Sequence, residues 1–291
     1  MTQENLNILT EWNDYSVDSN HEDFDFKDYT FSESSILNLF LFRKTYNYIP
    51  SQRWPDCLEG KTRYNQKFVI QLSKNPDFIH LYAQDIFNHG FGIQPLDKTQ
   101  AQAIVNEYDK LSLNVFQHRD QSDYIYCRKD FLRAYGKKYQ KQRYHINKLL
   151  REYDIQCEPI SESNVNFVRA CLELWVKQIN NGFLLDYYEC LEGIDMVLEG
   201  ILKGYCVYLN GKVESFIIYD DSLNKMSVAL FQKSNHNYQG LTDYCYKVYC
   251  ENDTKSTYFN LCQDLGILGL RNKKLMMHPF DMLDKYLVLP A

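Results

Sequence analysis

YCVYLNGKVESFIIYD, residues 205–220, sets two apolar runs rich in aromatic and β-branched residues on either side of Asn210-Gly211. An Asn-Gly pair supplies the two positive-φ positions of a type I′ turn, so this segment predicts an antiparallel hairpin. KMSVALFQK at 225–233 supplies a third adjacent strand. Upstream, a helix over 163–178 contains Trp175, and DMVLEGILKG predicts a second helix with Gly204 as its C-cap. Downstream, a helix follows Gly240, then a strand at STYFNL (256–261), then a helix starting near Gly269. Helix, hairpin, strand, helix, strand, helix is an α/β layout with a mixed sheet.

The first half shows a blurrier version of the same order. Residues 33–48 carry Ile36, Leu37, Leu39, Phe40 and Tyr46 at helical spacing. KFVIQL (67–72), FGIQPL (91–96), NVFQHR (114–119) and DYIYC (123–127) are strand candidates. DKTQAQAIVNEYDKL (97–111) predicts a helix with Asp97 as N-cap. Residues 130–153 form the most helical stretch, broken at Gly136. CEPISESN (157–164), with Pro159 and Ser161 as punctuation and cap, is the predicted boundary between two lobes, 1–156 (with the basic helix 136–153) and 157–291.

A length of 291 residues suits two lobes of ordinary size. With 45% hydrophobic and 24% charged residues the chain is globular rather than disordered. Its 24 Tyr and 17 Phe predict a core built on rings with many half-exposed tyrosines. A formal net charge of -6 excludes a sequence-independent nucleic-acid coat while leaving room for a local basic patch. The start, MTQENLNILTEWNDY, has no apolar signal region, and no run of about 18 apolar residues occurs, so a cytoplasmic protein without a transmembrane segment is expected. Nine scattered cysteines without a CxxC pair predict buried thiols, and seven dispersed histidines show no metal spacing.

Two segments carry the chemistry. From Phe131 to Arg151 stand Arg133, Lys137, Lys138, Lys141, Arg143, Lys148 and Arg151, with no acid among them. Lys137, Lys141 and Lys148 are placed on one helical face and Arg143 and Arg151 on another. The sharp reading is an anion site; the bland one is a solvated face paired with the acidic N-terminal residues Asp14, Asp18, Glu22, Asp23, Asp25 and Asp28. The second segment joins a strand to a helix and holds Asn260, Asp264, Gly266, Gly269, Arg271 and Lys274, the kind of strand end where α/β sheets expose ligand sites. Its bland reading is a structural turn in which Asp264 caps the helix and pairs with Arg271. His145, His278, Trp54 and Trp175 are more simply structural.

Three stretches bear a family resemblance: DYIYCRKDFLRAYGKKYQKQRYHIN (123–147), YLNGKVESFIIY with ALFQKSNHNYQG (208–240), and NLCQDLGILGLRNKKLMMHP (260–279). Together they resemble the DUF2156 family, whose fold is that of the C-terminal domain of phosphatidylglycerol lysyltransferase. The resemblance spans residues 30 to 287 or so. It implies two tandem acetyltransferase-like (GNAT) lobes and kinship with aminoacyl-tRNA-dependent transferases of the lipid-modifying and peptidoglycan-bridge types. Where the family commonly has Arg and Glu after the signature Asn, this chain has Leu261 and Cys262.

The expected function is therefore acyl or aminoacyl transfer to an amine or hydroxyl acceptor, a lipid headgroup among the candidates. Aminoacyl-tRNA or acyl-CoA would be the co-substrate, with no tightly bound cofactor and no metal. The tRNA acceptor end, coenzyme A and a peripheral lipid at the inner membrane face are the implied partners. Asp264, Arg271 and Lys274 are the catalytic candidates: Asp264 to orient the acceptor or take its proton, and Arg271, Lys274 or Lys233 to stabilise developing negative charge. Lys137, Lys138, Lys141, Arg143, Lys233, Asn260, Gly266 and Gly269 are the binding candidates. The alternative is a non-catalytic module of the same fold that binds an anionic ligand or protein partner, which Leu261 and Cys262 favour.

Overall fold

The computed structural model describes residues 7, 9–10, 29–62, 64–72, 77–179, 186–223 and 225–291. The acidic residues Asp14 to Asp28 lie outside them, and with them the predicted pairing to the basic helix. Two compact units emerge. The mid-chain unit comprises Tyr124–Cys262 and Gly269–Asp281; the terminal unit comprises Thr2–Asp123, Gln263–Leu268 and Met282–Ala291. The division thus differs from the predicted 156/157 boundary.

The physical reason is visible in the terminal unit. After a 3-10 turn at Ser32–Ser34 come α1 (Ile36–Leu41), α2 (Arg43–Tyr46), β1 (Ile49–Pro50), β2 (Cys57–Lys61), β3 (Lys67–Gln71), α3 (Phe78–Asn88), β4 (Gly92–Leu96), α4 (Lys98–Glu107) and β5 (Leu113–Gln117). Asp97 caps α4 as predicted, in a capping box with Gln100. The six-stranded sheet has the order β1-β2-β3-β4-β13-β5, so its fifth place is filled by β13 (Tyr286–Pro290) from the far end of the chain. Val288 of β13 is buried in a core with Trp54, Val69, Phe78, Ile86, Phe87, Ile93 and Ile104. A sheet that needs residues 286–290 to be complete cannot be severed from them at a mid-chain linker.

In the mid-chain unit the elements are β6 (Asp123–Cys127), α5 (Arg128–Arg133), a 3-10 turn at Lys137–Tyr139, α6 (Gln140–Glu152), β7 (Ile155–Pro159), α7 (Val165–Gln178), α8 (Tyr187–Leu198), β8 (Lys203–Leu209), β9 (Lys212–Asp220), β10 (Met226–Ser234), α9 (Leu241–Asn252), β11 (Tyr258–Asn260), α10 (Leu268–Met276) and β12 (Asp281–Leu283). Their sheet has seven strands in the order β12-β6-β11-β10-β9-β8-β7. The hairpin forms with Asn210 and Gly211 at φ 50° and 80°, as a type I′ turn demands. Every residue of β9 after Lys212 is buried, which marks it as a central strand.

Two sequence expectations fail here. Cys157–Pro159 is not a linker but the end of edge strand β7, paired from Ile155↔Leu209 to Pro159↔Tyr205. Pro159 is tolerated because an edge strand does not need every N–H. Gly204 is not a helix C-cap: α8 ends at Leu198 and Gly200 takes the left-handed position, while Gly204 lies inside β8. A Cβ on Gly204 would stand 2.8 Å from Ile160, so packing explains this glycine.

Each unit contains a parallel strand pair bridged by a helix, β3-α3-β4 and β10-α9-β11, flanked by antiparallel pairs. This is the expected α/β class with mixed sheets, and the blurred repeat in the sequence is a repeat of architecture. Rings fill much of the interior, with Trp54, Tyr124, Tyr126, Tyr219 and Tyr249 among the fully buried side chains. Six cysteines are buried, and burial pushes the Cys171 and Cys245 thiols up to about 12. No described helix is long and apolar enough to cross a membrane.

Candidate active site

In the mid-chain unit the parallel pairing of β10 and β11 lasts only from Met226↔Tyr258 to Val228↔Asn260. There β11 ends while β10 continues to Ser234, its pairing with β9 shifting between Ala229 and Phe231. The two parallel strands therefore part at their C-terminal ends, where open α/β sheets place ligands.

The parting point is tightly specified. Asn260 is fully buried, and its side-chain oxygen accepts the Cys262 N–H at 2.7 Å. Cys262 has φ 56°, and the chain turns there. Lys274 on α10 is 4% exposed and donates its ammonium to the carbonyls of Leu261 at 2.6 Å and Cys262 at 3.1 Å. Its Nζ lies 5.4 Å from the centre of the Tyr124 ring, and its own carbonyl accepts the Tyr126 hydroxyl at 2.7 Å. Arg271, half-buried, lies on the same helix three residues earlier. A buried ammonium held by backbone carbonyls is a fixed positive charge at a strand end.

Lys233 is equally engaged. It is 5% exposed, donates to both carboxylate oxygens of Asp186 at 2.6 and 2.8 Å, and lies 3.9 Å over the ring of Trp175. Such a bidentate, ring-covered ammonium braces the end of β10 against α8 and α7.

The basic segment separates into two kinds of cation. Lys137, Lys138 and Lys141 are exposed. Lys137 and Lys138 lie in the 3-10 turn and Lys141 in the first turn of α6, so the single face predicted for Lys137, Lys141 and Lys148 is interrupted at Tyr139. Lys148 pairs with Glu152 at 3.8 Å. Arg143 points back along the chain and donates from Nη1 to the carbonyls of Ala134 and, at 2.9 Å, Gly136. It closes the left-handed turn of Ala134 (φ 45°) and Gly136 (φ 88°) that breaks the basic stretch. Replacing Arg143 by Met is expected to cost about 1.5–3 kcal/mol, the usual worth of hydrogen bonds to a charged group, in urea unfolding followed by circular dichroism. His278, just after α10, bonds through Nε2 to the carbonyl of Lys138 at 2.8 Å and packs edge-on against Tyr139. Lys273 reaches Asp243 on α9 at 2.6 Å. Within this unit the structure thus brings the start of the basic segment to the helix that carries Arg271 and Lys274.

Asp264 belongs to the terminal unit. Its carboxylate is fully buried, accepts Arg119 Nη1 at 3.1 Å, and takes the Gly266 N–H at 2.9 Å in a tight turn. Gly266 has φ 76°, and a Cβ there would stand 2.8 Å from Asp120. Gly269 is an ordinary residue of the first turn of α10, with open space around its Cα. The signature run 260–274 is consequently shared out: Asn260, Gly269, Arg271 and Lys274 in one unit, Asp264 and Gly266 in the other.

The family description "Phosphatidylglycerol lysyltransferase, C-terminal" matches residues 88–289. The chain belongs to this family. The DUF2156 resemblance of the three sequence stretches is thereby borne out. Solved structures agree in fold over nearly the whole chain. A conserved protein of unknown function from Bacteroides thetaiotaomicron superposes with a TM-score of 0.79 at 20% identity, covering 100% of this chain and 98% of that one. The C-terminal (DUF2156) domain of a putative lysylphosphatidylglycerol synthetase from Agrobacterium fabrum gives 0.65 at 11% identity, covering 99% and 92%. L-PGS from Bacillus licheniformis gives 0.58 at 16% identity, covering 87% and 86%. A comparison with curated proteins finds no match. At such identities the likeness is one of fold, and within the lysyltransferase C-terminal family the chemistry of this chain has to be argued from its own side chains.

Sequence reasoning missed several residues that organise the sites. Arg119 gave no motif signal, and it bonds the buried Asp264 carboxylate at 3.1 Å. In the terminal unit, Lys285 is 4% exposed and donates to Glu33 at 2.6 and 2.9 Å and to Asp123 at 2.8 Å. Ser32 completes the network by donating its N–H (2.6 Å) and hydroxyl (3.1 Å) to Asp123, and Gln263 donates to Ser32 at 2.9 Å. One signal was available: Lys285 is a lone cation in the apolar run MLDKYLVLP, and a buried lysine needs partners.

Proposed function

We propose that this chain is an acyl- or aminoacyltransferase, moving an aminoacyl group from aminoacyl-tRNA, or an acyl group from a thioester, to an amine or hydroxyl acceptor such as a lipid headgroup. Family membership supports aminoacyl transfer in general. The observation that carries the reading for this chain is the buried Lys274 ammonium at the point where β10 and β11 part, on a helix linked through His278 to the exposed Lys137 and Lys138. Direct attack on an activated ester needs positioning, stabilisation of a developing oxyanion, and a proton acceptor. Lys274 and the neighbouring Arg271 supply positive charge at the strand end. Lys137, Lys138 and Lys141 supply a solvent-facing anion grip for donor phosphates. Asp264, buried and paired with Arg119, acts in this scheme by holding the turn that follows the strand, while the proton of the attacking group goes to solvent or to the acceptor's own surroundings.

A second reading rests on its own observation. Asp264, Lys233 and Lys274 are all buried and engaged by protein groups, and buried Leu261 with half-buried Cys262 stands where the family commonly carries charge. A binding module that keeps the fold has these properties.

The test is donor deacylation by the purified chain, with charged tRNA and acyl-CoA as donors. Under the transferase reading Lys274→Ala lowers kcat by roughly 10²-fold, the usual loss of one preorganised electrostatic group. Combined Lys137→Glu, Lys138→Glu and Lys141→Glu raises KM and flattens its salt dependence without disturbing the fold, because all three side chains are exposed. Absence of acceptor-dependent turnover in the wild type, with retained binding of a phosphate-bearing ligand, supports the module instead.

A further inference from the structure

β5 is the outer strand of the terminal unit's sheet among the described residues, paired on one side only, with β13. Asn114, Val115, Phe116 and Gln117 are all exposed, Val115 and Phe116 each at 43%, so apolar groups project from both faces. The hydrogen-bond register fixes what the free edge offers. His118 N–H bonds to Lys285 O at 2.9 Å and Ala291 N–H to Ser112 O at 2.7 Å. In an antiparallel ladder hydrogen-bonded residues alternate, so Asn114 and Phe116 also turn to β13, while Leu113, Val115 and Gln117 direct their N–H and C=O outward.

Proteins protect such edges with brevity, charge or proline. The other edge of this sheet is the two-residue β1, ending in Pro50. Edge strand β7 of the mid-chain unit carries Glu158 and Pro159. β5, with five residues and the sequence LNVFQ, has none of these guards.

We infer that β5 is a self-association surface, pairing antiparallel with β5 of a second copy about a two-fold axis at Val115 to join the two sheets. The occupant must be a strand, because the edge offers a row of backbone donors and acceptors. A second copy fits for two reasons. The strand is uncharged, so self-pairing opposes no like charges along its length. Its flanks also carry opposite charges in mirrored order, exposed Asp109-Lys110 before it and part-exposed Arg119-Asp120 after it. An antiparallel two-fold at Val115 brings Lys110 toward Asp120 of the other copy, whereas parallel pairing would set like against like. Val115 then faces its own counterpart and Leu113 faces Gln117.

The test is sedimentation equilibrium of the full chain across a wide concentration range, with two variants. The wild type should shift from 34.7 kDa toward twice that mass. Val115→Arg, an exposed change that places two positive charges on the axis, should hold the mass at 34.7 kDa at every concentration. Val115→Cys should cross-link to itself on mild oxidation, since residues facing across a two-fold lie within disulfide reach, whereas Lys61→Cys, away from the axis, should not. A wild type that stays at 34.7 kDa overturns the proposal, including the case where β5 captures a strand of a different protein. So does a dimer that persists in Val115→Arg, since that dimer uses another surface.

Discussion

Lys285→Ala is expected to destabilise the terminal unit by about 3–5 kcal/mol, the cost of leaving buried charge without its partner. The ammonium lies within salt-bridge distance of both Glu33, at 2.6 Å, and Asp123, at 2.8 Å; Lys285 and Asp123 are buried, and the Glu33 side chain is 16% exposed. Burial by itself lowers the Lys285 pKa, but Asp123 and Glu33 together outweigh it and raise the pKa above the ordinary lysine value. A group whose folded pKa is raised contributes stability that is complete below the unfolded pKa and is lost as pH rises through the folded one. The Lys285 contribution is therefore fully present at neutral pH and disappears only in strong alkali. Urea unfolding of wild type and variant, with hydrogen exchange of β13 and the Ser32–Ser34 turn, checks both the size and the place of the loss. Adding Glu33→Gln and Asp123→Asn to Lys285→Met should recover most of it, because neutral partners no longer demand a counter-charge. A loss below about 1 kcal/mol, typical of surface ion pairs, would mean that water reaches the network.

The second large effect is Gly240→Ala. Gly240 caps α9 with φ 91°, and a Cβ built on it would stand 2.7 Å from the carbonyl oxygen of His145 on α6. A left-handed conformation costs a non-glycine residue about 1–2 kcal/mol. Forcing apart two packed backbones adds about 1–3 kcal/mol, because neither helix can give way cheaply. The comparison is Gly200→Ala, at φ 73° after the end of α8 and with open space within 4 Å, which bears only the first penalty. Thermal unfolding should rank Gly240→Ala well below Gly200→Ala, and near-equal losses would refute the close approach of α6 to α9. Under the transferase proposal, donor turnover by Gly240→Ala should fall further than its stability alone explains, since α6 continues directly from the turn bearing Lys137 and Lys138.

Much of the secondary structure was legible because its signals are local. Asn210-Gly211 in the mid-chain unit defines its turn by the φ values only such residues adopt easily, and Asp97 in the terminal unit caps a helix through atoms three residues away. Gly136 was read as a break in the basic stretch, and Ala134–Gly136 is that break, closed by Arg143. Gly204 misled because a glycine near a helix end has two explanations, a left-handed cap or a close packing contact, and only coordinates tell them apart. CEPISESN misled similarly: turn-forming residues at 159–164 hid the fact that Ile155–Pro159 completes a sheet edge.

The candidate site was half legible. Asn260, Arg271 and Lys274 were identified as strand-end polar groups, and the structure brings Asn260 at the end of β11 and Lys274 on α10 to the same Leu261–Cys262 backbone. Their burial and their partners were not legible. The amino-acid sequence by itself determined the α/β class, the hairpin, the basic segment and the family, since each rests on contacts or residue order spanning a few tens of residues. Tertiary structure alone decided that residues 286–290 return to the first sheet, that Asp264 is held by Arg119 and that Lys285 is caged by Glu33 and Asp123. Those pairings join positions 145 to 252 residues apart, and no periodicity along a chain encodes which distant charge will be enclosed with which.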